Sequence, residues 1–139
     1  MAVLKSLSIL HWNCNGANAR KNELLQHLAE ARGKYDVICL QETHLKLGQR
    51  FHVKGYTTVR RDRDVGAGRA SGGVATLIRD GLNFTECDSG NDIESICINI
   101  RVRGNFHRIA NIYIPPIPHV VDEAHLAAIF SGNTIIVGD

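Results

Sequence analysis

Glu42 ends the run Tyr35-Asp36-Val37-Ile38-Cys39-Leu40-Gln41, a nearly continuous apolar stretch of the kind that forms a strand covered on both faces. A carboxylate at the end of such a strand points into the crevice where α/β proteins build their sites. It also supplies the oxygen donors that a hard cation such as Mg²⁺ requires. Taken alone, the plainer reading is a solvated glutamate where the strand surfaces. Asn13 and Asn15 flank Cys14 at the end of the first apolar segment. Their amides both donate and accept, so they can bind a phosphate oxygen or orient a metal ligand, although N-x-N-G is also ordinary turn chemistry. Tyr113, in Asn-Ile-Tyr-Ile-Pro-Pro, offers a hydroxyl to a phosphate or packs as a half-buried strand residue. Asp139 follows an apolar run and Gly138, and reads as a site carboxylate or as a turn residue.

Basic residues come next. Arg60, Arg61, Arg63 and Arg69 surround or occupy the glycine-rich stretch 61–72, RDRDVGAGRASG, and are candidate phosphate contacts. Asp62 and Asp64 interleave with them, which fits a solvated loop equally well. Arg101 and Arg103, two apart on an expected strand, form a second basic pair.

The elements that must position these groups follow from pattern. Leu4 to Trp12 is β-compatible, and Asn13 to Asn18 is a turn. A helix is predicted from about Arg20 to Arg32, with Leu24, Leu25, Leu28 and Ala31 at helical spacing and Gly33 as its C-terminal cap. Strands are predicted at 35–40, 55–60, 73–79, 93–102 and 108–114, then a short helix at 122–130 and a buried strand at 134–137. The order βαβ, several strands, then αβ implies an α/β domain whose sheets are covered by helices.

Composition narrows the class without naming a function. The chain has 139 residues, 44% hydrophobic and 22% charged, enough for one globular domain and too apolar for disorder. The net charge of +2 is too small for a general nucleic-acid coat, so contact with DNA would need a local patch. No apolar run is long enough to span a bilayer, and MAVLKSLSIL lacks a signal-peptide pattern, so an intracellular protein without a membrane partner is expected. The four cysteines contain no C-x-x-C pair and read as reduced thiols, three of them among apolar neighbours.

Taken in order, the segments Trp-Asn-Cys-Asn-Gly (12–16), Gln-Glu-Thr-His-Leu (41–45), Ser-Gly-Gly-Val-Ala (71–75), Asn-Ile-Tyr-Ile-Pro-Pro (111–116) and Ile-Val-Gly-Asp (136–139) are more specific than any of them singly. The chain resembles the endonuclease/exonuclease/phosphatase superfamily, and within it the endonuclease domain of non-LTR retrotransposons of the jockey type. The resemblance implies a four-layer α/β sandwich, of which residues 1–139 form the N-terminal part, cut at the Gly-Asp motif. It implies a Mg²⁺-dependent DNA endonuclease, with Mn²⁺ as a possible substitute. Glu42 would ligate the metal, supported by Asn13; Tyr113 would hydrogen-bond the scissile phosphate; Asp139 would help position the attacking water. Asn15 and His44 would lie on the substrate side. Double-stranded DNA is the implied substrate, nicked to leave a 3′-hydroxyl. In the full-length polyprotein, a reverse transcriptase would extend that end on the element RNA, in the nucleus when the target is chromosomal.

The resemblance also marks departures. An asparagine two residues past Asp139, a later aspartate and a Ser-Asp-His are absent from this sequence, and His107, His119 and His125 do not match that histidine. This predicts an incomplete active site and a chain inactive by itself, with strands 93–102 and 134–137 seeking partners past residue 139. Two alternatives stay open: an AP endonuclease-like or other phosphoesterase of the same superfamily, and a catalytically dead retroelement fragment. Asn15, where repair enzymes of the superfamily usually carry aspartate, speaks against the first.

Overall fold

The computed structural model describes residues 4–88, 93–115 and 134–139. Its strands form two four-stranded mixed sheets. The first holds β1 (Ile9–Asn13), β2 (Val37–Gln41), β3 (Tyr56–Arg61) and β4 (Val74–Arg79), in the order β1-β2-β4-β3. The second holds β5 (Phe84–Cys87), β6 (Glu94–Val102), β7 (Asn105–Tyr113) and β8 (Thr134–Gly138), in sequential order. Each sheet contains one parallel pair, β1 with β2 and β7 with β8; the other pairings are antiparallel.

Successive side chains of a strand point to opposite faces, and β2 and β4 use both. Ile38, Leu40, Ala75 and Leu77 pack outward beneath the helix α1 (Lys21–Ala31), whose Leu24 is buried against them. Val37, Cys39, Val74 and Ile78 pack inward against Ile96, Ile98, Ile100 and Ile109 of the second sheet. This explains the unbroken apolar run of β2, which is buried at all five positions. Burying each such aliphatic side chain contributes about 1.5–3 kcal/mol, so both layers hold the fold together. The described layers are therefore one helix and two stacked sheets, in keeping with the expected α/β sandwich.

Several expectations need correction. The helix cap is Arg32, in left-handed backbone at φ 53°, with Gly33 following at φ 72°. Leu25 is on the solvent side, 39% exposed, because the helix is a single layer with only one face against the sheet. The strand β5 escaped notice because it has four residues and lies at a sheet edge. It pairs with β6, so the strand 93–102 already has neighbours on both sides and needs none past residue 139. The last strand is an edge strand rather than a buried one, with Ile135 37% and Ile136 36% exposed. The helix predicted at 122–130 lies outside the described residues. Cys14, Cys39 and Cys97 are buried and Cys87 half-buried, all as free thiols, and burial pushes Cys14 up to about 11 and Cys39 to about 12.

Candidate active site

The two parallel pairs end side by side. Asn13 is the last residue of β1 and lies opposite Gln41, the last of β2; Tyr113 ends β7, and Asp139 follows β8. A buried bond from Gln41 Nε2 to Asn111 Oδ1 (2.6 Å) joins β2 to β7 across the sandwich. Asn111 Nδ2 in turn donates to the carbonyls of Leu40 (3.3 Å) and Ala75 (2.9 Å) and to Thr76 Oγ1 (3.2 Å). An amide has two donors and two acceptor lone pairs, which lets one side chain stitch three strands together at full burial.

Past Gln41 the chain must leave the sheet sharply. Glu42 and His44 take left-handed backbone, at φ 50° and 52°, a conformation costly for non-glycine residues and held here by neighbours. The carbonyls of Glu42 and Thr43 accept from Gly16 N and Ala17 N (both 2.8 Å), while Thr43 N and His44 N donate to the carbonyls of Gly73 (3.2 Å) and Gly72 (2.9 Å). Gly73 is required here: at φ 90°, a β-carbon on it would come within 2.6 Å of Thr43 Oγ1.

This turn aims Glu42 at Asn13. Asn13 Nδ2 donates to Glu42 Oε2 (2.5 Å) and to Asp139 Oδ2 (2.6 Å). One amide thus holds two carboxylates, whose accepting oxygens can be no farther apart than the two bonds laid end to end. His44 Nε2 lies 3.7 Å from Glu42 Oε1. Tyr113 is buried beside them, and burial first, then the charge of Glu42, with Glu94 and Asp139 adding to it against Arg63, pushes its hydroxyl pKa up. It therefore stays protonated at neutral pH and remains a hydrogen-bond donor.

Among the sequence-predicted residues, Asn13, Glu42 and Asp139 are brought into direct contact, and His44 and Tyr113 are placed beside them. Asn15 sits exposed on the turn at φ 47°. The arginines divide differently from expectation. Arg60 forks onto Asp62 (2.8–3.1 Å) and donates to the carbonyls of Gln49 (2.5 Å) and Lys46 (3.2 Å). Arg61 Nη1 donates to Ile93 O (2.9 Å), and Arg69 is exposed in the loop. Arg63 is the arginine whose charge reaches Tyr113 and Glu42. Glu94, directly opposite Tyr113 in the β6–β7 ladder, and the bridging Asn111 were not foreseen as site residues. Only membership of the NIYIPP segment pointed at Asn111, and nothing local distinguishes Glu94 from any strand-starting glutamate.

The two carboxylates supply the oxygen donors that suit a hard divalent cation, while the Asn13 Nδ2 between them is a hydrogen-bond donor and not a ligand. Among the described residues no group of three or more His, Cys, Asp or Glu side chains is placed to hold a metal ion. A cavity of about 360 Å³ lies elsewhere, between β1 and α1, lined by Leu10, His11, Trp12, Glu23, Leu24 and His27. The bond between Asn13 and Asp139 lies instead at the exposed surface.

Gly138 fixes where Asp139 can be. A β-carbon there would collide with the carbonyl oxygen of Ile112, the same oxygen that accepts from Asp139 N (3.1 Å). Replacing Gly138 with alanine is therefore expected to push β8 off β7 and separate Asp139 from Asn13. Asp139 amide exchange faster by at least about tenfold, with α1 unaffected, is the expected reading.

Comparison with known proteins places the fold and the sequence in a family. Residues 10–139 match the sequence pattern of the Endonuclease/Exonuclease/phosphatase family. The RNA-directed DNA polymerase from mobile element jockey of Drosophila melanogaster is 28% identical over 136 residues, covering 96% of this chain and 14% of the relative's length. Among solved structures, the endonuclease domain of TRAS1, a telomere-specific non-LTR retrotransposon, superposes with a TM-score of 0.68 at 17% identity, over 96% of this chain and 59% of that one. The AP endonuclease LMAP from Leishmania major gives 0.56 at 20% identity, over 78% and 40%. The Xenopus laevis APE2 catalytic domain gives 0.58 at 19%, over 94% and 57%. With the family pattern running from β1 to Asp139 through every strand end that builds the carboxylate cluster, the chain belongs to the endonuclease/exonuclease/phosphatase family.

Proposed function

We propose that this chain is the cation- and phosphate-binding part of a divalent-metal-dependent DNA endonuclease from a non-LTR retrotransposon. The observation that carries the reading is the Asn13 amide held between Glu42 and Asp139. Glu42, Asp139 and Asn13 would hold Mg²⁺ or Mn²⁺, which when bound supplies positive charge to the phosphate and to the departing oxygen. Tyr113, kept protonated by its surroundings, donates to a phosphate oxygen and orients the diester. Asp139 also accepts a hydrogen bond from the water lined up for attack, and His44 and Asn15 face the DNA. The product is a nicked duplex with a 3′-hydroxyl, handed to the reverse transcriptase of the same polyprotein and its RNA template. On chromosomal DNA this takes place in the nucleus. The 28% identity to the jockey polymerase supports the retroelement assignment over a repair enzyme.

The 139-residue chain is expected to bind Mn²⁺ and intact duplex DNA but not to nick supercoiled plasmid. Mn²⁺ titration, DNA binding by anisotropy and plasmid nicking test this together. Failure to bind Mn²⁺ would overturn the cation reading. A strong preference for abasic over intact duplex would favour the AP endonuclease alternative. Mg²⁺-dependent nicking that disappears in Glu42→Ala would confirm the activity and refute the inertness of the chain alone.

A further inference from the structure

Glu42 is held in its left-handed turn by groups that themselves need holding. Thr43 N and His44 N lean on the carbonyls of Gly73 and Gly72. These two glycines lie at the end of the loop after β3, at φ 61° and 90°, where backbone is otherwise free to move. They are pinned from the opposite sheet. Glu94 Oε1 accepts from Gly73 N (2.8 Å) and from Arg63 Nε (3.2 Å), and its Oε2 accepts from Arg63 Nη2 (2.5 Å). The Arg63 guanidinium lies so close over Gly72 that no β-carbon fits between them, and its Nη1 reaches Ser71 Oγ (3.4 Å). The Glu94 side chain is only 17% exposed and that of Arg63 35%. A charge-assisted bidentate pair so shielded holds its geometry far better than a surface ion pair.

We propose that Glu94 is a positioning residue for Glu42, acting through Arg63 and the Gly72–Gly73 backbone. Glu94 starts β6 of the second sheet, whereas Glu42 directly follows β2 of the first. The clasp therefore fixes the register of the two sheets at the end where Glu42, Tyr113 and Asp139 must meet. Arg63 answers the charge of Glu94 and also faces Tyr113 and Glu42, so the clasp adds no uncompensated negative charge beside the carboxylates. The inference rests on Glu42 being the cation-holding carboxylate.

Two variants separate positioning from general stability. Glu94→Ala removes the acceptor for Gly73 N and both bonds to Arg63; Glu94→Gln keeps one oxygen for Gly73 N and Arg63 Nε and loses only the acceptor for Arg63 Nη2. In hydrogen exchange, Glu94→Ala is expected to speed the Thr43 and His44 amides by about tenfold or more while the amides of α1 keep their rates. Mn²⁺ affinity should fall about tenfold in Glu94→Ala, the usual cost of losing a group that orients a ligand, and stay within about twofold in Glu94→Gln. Unchanged exchange at Thr43 and His44, or equal acceleration across α1, would overturn the proposal. The cation reading fails separately, if Glu42→Gln leaves Mn²⁺ affinity intact; the exchange result still decides whether Glu94 holds the turn.

Discussion

Replacing Glu42 with glutamine is expected to weaken Mn²⁺ binding by about a hundredfold, equivalent to about 2.8 kcal/mol at about 1.4 kcal/mol per decade. The substitution is isosteric. An amide oxygen still accepts from Asn13 Nδ2, so the turn and its neighbours are kept and only the charge goes. Glu42 has a side chain 28% exposed whereas Asp139 is exposed, and an ion pair with less water around it is screened less. Glu42 should therefore contribute more than Asp139, and Asp139→Asn should weaken binding by a smaller factor. Folding is a separate matter. Two carboxylates share one amide, so removing one negative charge leaves no buried group without a partner, and the cation-free melting temperature should barely move. Isothermal titration with Mn²⁺, with thermal melts of both variants, checks the pair of statements. A parallel collapse of affinity and melting temperature would mean that Glu42 is structural.

The largest stability effect is expected at Asn111. Substitution by leucine, similar in size but without polar atoms, should lower unfolding free energy by about 3–4 kcal/mol, since buried partners left unsatisfied cost about 1–3 kcal/mol each. Gln41 Nε2 loses its acceptor, and the carbonyls of Leu40 and Ala75 each lose one donor, all in a fully buried layer. Urea unfolding measures the loss, with an unchanged m-value expected, and Thr85→Ala on the exposed side of β5 serves as a near-neutral comparison. Because Gln41 immediately precedes Glu42, cation affinity should fall as well. A loss under about 1 kcal/mol would show that the network contributes less than its burial implies.

The division between legible and hidden features has physical causes. Strand β2 was readable because burial on both faces leaves a run of apolar residues that no exposed segment would carry. Glu42 was readable because a charge directly after such a run must sit where the strand surfaces. Strand β5 was not, since a four-residue edge strand leaves too few alternating positions to register. The exposure of β8 was misjudged for a related reason: Thr-Ile-Ile-Val has the composition of a core strand, and only its place at the sheet edge makes it otherwise. Among the arginines, composition pointed equally to all members of the loop cluster. Geometry separated them, directing Arg60 to Asp62 and backbone carbonyls and Arg63 to Glu94.

By itself, the sequence determined the strand-rich α/β class, the order of the motifs and the residues at the strand ends, because periodicity and turn chemistry are local and leave local traces. Only the tertiary structure decided which of those ends meet. The bond from Asn13 to Asp139 joins residues 126 positions apart, and that from Gln41 to Asn111 joins residues 70 apart. The clasp of Glu94 on Arg63 and Gly73 crosses from one sheet to the other. No spacing rule encodes such contacts. They arise when two sheets bury their inner faces against each other, and that packing sets the register in which an amide reaches two carboxylates at once.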